Sequence, residues 1–355
     1  MKDPRVEELA RILIHYSLEV EPHDVVLIRT SELGKPLALA AYERILEAGA
    51  HPLLGVYFEE AERLHLERGT EQQIDYLPAI RLLEARNIDS FLHIAAPTNR
   101  RLLSRVAPVK ISRRRVAMRP VSEIIVQQKR WVLVDFPTQA LAQEAEMSLE
   151  EYEDFLFRAT NIDWKAMDRL QERLKKKLDP AVKIRIVGPD TDISFAIRGR
   201  QAVKCTGKRN MPDGEVYLSP LERSANGHVS FEFPAIYNDR EVSGIRLVFR
   251  RGQVVEATAE KGEDFLLAML DTDAGARFVG ELGIGLNYSI QRFTRNILFD
   301  EKMGGTIHIA LGQSYKKAGG KNRSAIHWDM IKDLRSGGRI FLDERCIFKD
   351  GRFID

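Results

Sequence analysis

Cysteine is scarce in this chain: Cys205 and Cys346 are the only two among 355 residues, and no C-x-x-C pair exists. That spacing excludes a thiolate zinc cluster and a disulfide framework. Long apolar runs are missing as well. No stretch reaches the roughly 18 consecutive apolar residues of a membrane span. The opening segment "MKDPRVEELARILIHYSLEV" has acidic residues where a signal peptide would have its apolar core, so it reads as an amphipathic helix. A cytoplasmic protein without a membrane partner is the expectation. Neither charge sign dominates, since the formal net charge is +2. That balance gives no support to a dedicated nucleic-acid binder. Phosphate-cradling motifs are absent too: "GELGIG" is not G-x-G-x-x-G, and "GGKNRS" lacks the P-loop spacing.

What is present is an ordinary globular composition, 44% hydrophobic and 30% charged, in a chain longer than one core usually serves. The first half alternates short apolar runs with helical periodicity. "DVVLIRT" is followed by "KPLALAAYERILEAGA", then "HPLLGVYF", "YLPAIRLLEAR", "SFLHIAA", a basic helical stretch and "WVLVDF". Repeated strand–helix–strand units predict an α/β domain with a mainly parallel sheet. "SLEEYEDFLFRAT" opens a helix with a capping box, Ser148 as N-cap and Glu151 three residues on. From "KIRIVGPDTDISFAIRG" onward strand patterns dominate, interrupted by the helical "EDFLLAML". Turn-like Arg251-Gly252 and Asp350-Gly351 join neighbouring strands. The reading is an N-terminal α/β domain over residues 1–178 and an α+β domain rich in antiparallel sheet over residues 179–355.

The second half places polar residues where a half-buried strand should be apolar. In "TIHIALG" period two puts Thr306, His308 and Ala310 on one face and Ile307, Ile309 and Leu311 on the other. In "SAIHWDM" His327 and Asp329 share a face opposite Trp328. Glu215 begins a strand after a Pro-Asp-Gly turn, Glu281 follows Gly280, and Glu301 follows the apolar "NILF". Each has a purely structural alternative: a satisfied core histidine, an aspartate that only orients it, a solvated turn glutamate. Taken together, two imidazoles and several carboxylates without a thiolate suit Zn, Co or Mn at a catalytic site better than a structural zinc. Carboxylates can bridge two such cations, leaving another free to move protons.

Several longer segments go beyond patterning. "RNMPDGEVYLSPLERSANGHVSF", "EMSLEEYEDFLFRA", "DTDISFAIRGR", "GARFVGELGIG", "LFDE", "HIALGQSY" and "SAIHWDM" resemble, in order, the motifs of the metallo-aminopeptidase family of aminopeptidases T and S. The resemblance covers the chain from about Pro137 onward, and more loosely "AYERILEAGAHP" before it. It implies metal ligands at Glu215, Glu281, His308, His327 and Asp329, with Glu301 and Tyr315 as the other active-site groups. It further implies two divalent ions per subunit, a peptide substrate with a free amino terminus, and a homodimer. Two departures flank the site: a short link between Tyr315 and His327, and a long one between Glu301 and His308. They leave substrate preference and the role of Glu301 open.

Two rival readings remain. The basic run "RRLLSRVAPVKISRRRVAM" could contact nucleic acid, but it has no interleaved aromatics and reads better as a solvated helix face. A metal-binding protein of the same fold that has lost catalysis is the other.

Overall fold

The computed structural model describes residues 2–238 and 240–354. The chain divides into two compact units: residues 1–162 with 207–212, and residues 163–206 with 213–355. The helix Trp164–Leu178, capped by the Asp163 carboxylate on the Ala166 amide at 2.9 Å, falls in the second unit.

In the first unit, β1 (Val25–Ser31), β2 (His51–Tyr57), β3 (Ser90–Ala95) and β4 (Arg130–Asp135) pair in parallel. Helices Lys35–Glu47, Ala79–Asn87 and Pro108–Gln128 lie between them. The expected α/β alternation is therefore observed. Pattern and structure differ at two edges. The N-terminal helix Pro4–Arg11 continues as a π-helical turn, Ile12–Ser17. The basic stretch starts its helix only at Pro108, since a proline disfavours helical backbone at the residue before it and is tolerated in the first turn. The capping box is formed in both directions, with Glu151 N–H donating to the Ser148 hydroxyl at 3.2 Å and Ser148 N–H to the Glu151 carboxylate at 2.8 Å.

Along the rest of the chain run β5 (Lys183–Gly188), β6 (Thr191–Ala196), β7 (Val203–Cys205), β8 (Asn210–Met211), β9 (Glu215–Leu218) and β10 (Asn226–Ser230). They are followed by β11 (Ala235–Tyr237), β12 (Arg240–Val242), β13 (Arg246–Arg250), β14 (Gln253–Thr258) and β15 (Val279–Gly285). The last are β16 (Thr306–Gly312), β17 (His327–Asp333), β18 (Arg339–Leu342), β19 (Arg345–Lys349) and β20 (Arg352–Phe353). Strand β8 joins the first unit's sheet beside β4. The second unit is antiparallel, as expected: an eight-stranded sheet β14-β13-β10-β6-β5-β18-β19-β20, a five-stranded sheet β17-β16-β15-β9-β7 and a β11-β12 ribbon. Arg251 and Gly252 both take positive φ (51° and 88°) in the β13–β14 hairpin, the geometry that matches strand twist. "HVSFEFPAIY" is broken into two strands around Pro234, which has no N–H for a ladder.

The five-stranded sheet has two unlike faces. Val216, Leu218, Leu282, Ile284, Ile307, Ile309, Leu311, Trp328 and Met330 fill one, all buried. Burying each such side chain stabilises the fold by about 1.5–3 kcal/mol. Trp328 stacks on Tyr237 at 5.5 Å. The alternate positions point the other way and build the site.

Candidate metal centre

Directly opposed residues of antiparallel strands share a face, so strand register decides which side chains meet. Glu281 on β15 and Asp329 on β17 both pair with Ala310 of β16, which puts a carboxylate on each side of a small residue. His308 on β16 pairs with Gly283, His327 with Gly312, and Glu215 with Gly285. Small residues thus alternate with polar ones across four strands and hollow the face. A Cβ at Gly283 would lie 2.0 Å from His308 Cε1, so only glycine lets this imidazole cross β15. At Gly285 a Cβ would meet the Met303 carbonyl oxygen at 2.1 Å, so the segment carrying Glu301 can lie against the sheet only above a glycine.

Both imidazoles are aimed by a backbone carbonyl. His308 Nδ1 lies 3.1 Å from the Glu301 carbonyl oxygen, and His327 Nδ1 lies 2.8 Å from that of Gln313. A carbonyl only accepts, so each Nδ1 carries the proton and each Nε2 faces the cluster. His308 Nε2 is 3.2 Å from Glu281 Oε1 and 3.4 Å from Glu215 Oε2, and His327 Nε2 is 3.4 Å from Asp329 Oδ2. Glu215, Glu301 and His308 each offer a ligand atom within 4.8 Å of the others. Tyr315, 46% exposed, stands at the rim with its ring 5.0 Å from His327 and 5.8 Å from Tyr217. All seven residues singled out in the sequence therefore converge on one face.

The electrostatics are those of carboxylates short of positive charge. Burial, reinforced by Glu301, pushes the Glu215 carboxyl well up, and burial pushes Glu281 up. Burial by itself lowers His308, but its hydrogen bond with Glu281 and the charges of Glu215 and Asp329 outweigh it and raise the imidazole to about 10. His327 is raised to about 9 in the same way, burial being overcome by Asp329. For Asp329 the upward pull of burial is exceeded by the His327 hydrogen bond, and its carboxyl is lowered.

The residues fit a divalent cation. Glu215 Oε2, Glu281 Oε2 and Asp329 Oδ1 are buried with no hydrogen-bond partner among the described residues. Leaving a buried acceptor unsatisfied costs about 1–3 kcal/mol, more when it is charged. With the two imidazole nitrogens beside them these oxygens are N/O donors of the kind that suits Zn, Co or Mn, and the group whose ligand atoms all lie within 4.8 Å of one another is Glu215, Glu301 and His308.

Sequence patterning missed two participants. Lys302 is fully buried, in contact with Glu301 Oε1 and 3.9 Å from Glu215 Oε1. Cys205 pairs with Glu215 in register, and Cys205, Asp213 and Glu215 have ligand-type atoms within 4.8 Å of one another. The lysine's one signal was its place directly after Glu301. The basic helix, by contrast, spends its charge inside its own unit. Arg113 pairs with Glu71 and Asp75, Arg114 donates to the carbonyls of Ile74 and Tyr76, and Lys110 to those of Leu66 and Glu67.

Known proteins resemble this chain over most of its length. Aminopeptidase T of Thermus thermophilus is 28% identical, the match covering 92% of this chain and 91% of the relative. Aminopeptidase 2 of Geobacillus stearothermophilus is 26% identical over 88% of this chain and 84% of its own length. The solved structure of wild-type AmpT from Thermus thermophilus superposes with a TM-score of 0.85 at 25% identity, covering 99% of each chain. The sequence profile of the thermophilic metalloprotease (M29) family matches residues 2–353, and the chain belongs to that family.

Proposed function

We propose that this metalloprotease is an aminopeptidase that hydrolyses the amino-terminal residue from peptides, with two divalent ions held by Glu215, Glu281, His308, His327 and Asp329. The observation that carries the reading is the set of three buried carboxylate oxygens that hold no hydrogen bond, beside two carbonyl-oriented imidazoles. The names of the relatives, aminopeptidases T and 2, support the substrate end. Divalent cations supply Lewis acidity, polarising a peptide carbonyl and making hydroxide available near neutral pH.

The chain's own groups do the rest. Glu301, whose side chain keeps 19% of its exposure, sits where a carboxylate can take a proton and return it to the leaving amine. Tyr315 at the rim offers an O–H to the oxygen that gains charge as the carbonyl is attacked. Its hydroxyl is held neutral, because burial, then Glu281 and Asp329, push it above the ordinary tyrosine value. Within this proposal the protein works in the cytoplasm, and both cysteines are free thiols. A homodimer would cover apolar Leu53, Leu54 and Val56, which are exposed on the edge strand β2. Among the described residues no helix is long and apolar enough to cross a membrane.

The test is turnover of an aminoacyl anilide and of a peptide pair, one free and one acetylated at its amino terminus. Activity should vanish on chelation, return with Zn, Co or Mn, and be confined to the free peptide. Equal cleavage of both peptides, or full activity in a chelated sample shown metal-free by elemental analysis, would overturn the reading.

A further inference from the structure

Two lysines in the second unit are fully buried, Lys302 and Lys332. Lys332 is accounted for by its surroundings: its ammonium contacts Glu232, a carboxylate facing solvent, and donates to the Pro189 carbonyl at 2.8 Å. Lys302 has no such outlet. Its ammonium contacts Glu301 and lies 3.9 Å from Glu215 Oε1, both inside the candidate metal centre. Its backbone is fixed, with its N–H donating to Phe299 and its carbonyl accepting from Asn287, each at 3.0 Å. Without side-chain exposure the ammonium has no water to retreat to, and a buried charge must keep a partner.

The carboxylate oxygens of the site consequently fall into two sets. Glu215 Oε1 and Glu301 Oε1 face the lysine. Glu215 Oε2, Glu281 Oε2 and Asp329 Oδ1 have no hydrogen-bond partner among the described residues. Only Glu215 belongs to both. A divalent ion at the second set meets carboxylate oxygens that hold no hydrogen bond, beside imidazoles that can exchange a proton for a metal, whereas one at the Glu215–Glu301 end must share its ligands with a lysine ammonium that cannot leave.

We propose that Lys302 is a built-in monovalent cation of the centre, competing with a divalent ion for Glu215 and Glu301, so that the two ions bind in separate steps and the one at that end is the weaker. The inference rests on the two-ion reading above and adds which end exchanges. A fixed positive charge a few ångströms from a divalent ion repels it strongly at interior dielectric, enough to separate the steps by at least about a hundredfold.

The experiment is a manganese(II) titration of the metal-stripped full chain, with free ion measured by electron paramagnetic resonance and bound ion by elemental analysis. The parent should take up two ions in two steps. Lys302→Met, which keeps the length and removes the charge, should tighten the weaker step at least about tenfold. Lys302→Arg, which keeps the charge, should leave the steps apart. Two ions taken up by the parent in one step would overturn the proposal without any variant, whether or not Lys302→Met folds. So would an unchanged gap in a folded Lys302→Met. A single ion at saturation in the parent and both variants would instead overturn the two-ion reading, and this proposal with it.

Discussion

Two sheets in this molecule carry histidines that are wholly or partly buried, and the imidazoles are pushed in opposite directions. In the first unit His93 on β3 pairs in register with Arg29 of β1. Burial, with a further push from Arg29, lowers it to about 4. In the second unit burial acts on His308 and His327 in the same sense but is reversed by carboxylates, which raise them to about 10 and about 9. Burial alone makes a neutral core histidine. Buried carboxylates beside it make a place that stabilises positive charge, whether a proton on Nε2 or a metal ion. The difference between His93 and the pair His308 and His327 lies in the neighbours.

The comparison breaks most sharply if the carboxylates are removed. Asp329→Ala should lower metal affinity by more than about a hundredfold, beyond the loss typical of supporting residues, and abolish peptide hydrolysis. Glu301→Gln should keep metal at the Glu281–Asp329 side while losing most of the turnover if Glu301 moves the proton. Elemental analysis alongside anilide turnover separates the outcomes. Normal metal content and rate in Asp329→Ala would remove it from the site.

A smaller effect follows from shape. Gly283→Ala puts a Cβ against His308, whose ring must then shift. Overpacking of this kind costs about 1–3 kcal/mol. A lower thermal midpoint together with reduced metal content is expected. Unaltered metal binding would show that the His308 orientation is not set by this contact.

The smallest expected effect lies in the first unit and tests the other half of the comparison. His93 is depressed in the folded state to about 4 from an ordinary 6.5. Between those values the unfolded chain binds the proton and the folded chain does not, so stability rises with pH there. It is fully present above about 6.5 and is lost as pH falls toward 4. Discounted for partial exposure, the contribution is about 1–3 kcal/mol. Denaturant unfolding of His93→Phe against the parent from pH 7 to pH 4.5 should show a shallower loss in the variant. Parallel curves would mean that His93 is not the acid-sensitive group.

Local pattern determined a great deal. Period two assigned His308, His327 and Asp329 to a polar face and Ile307, Ile309 and Trp328 to an apolar one, because side-chain direction in a strand alternates whatever the strand pairs with. The Ser148–Glu151 capping box and the Arg251-Gly252 hairpin were legible for the same reason: their hydrogen bonds and dihedrals involve residues a few positions apart. Motif resemblance added Tyr315, which no periodicity marks. Register between strands was decided only by tertiary structure. Glu281, Ala310 and Asp329 align across three strands through contacts between segments tens of residues apart, and a one-residue slip would turn each set to the other face. Lys302 is the plainest case. In sequence it is one more lysine after a glutamate. Its burial, and its charge inside a nest of carboxylates, exist only because Gly285 lets that segment close over the sheet.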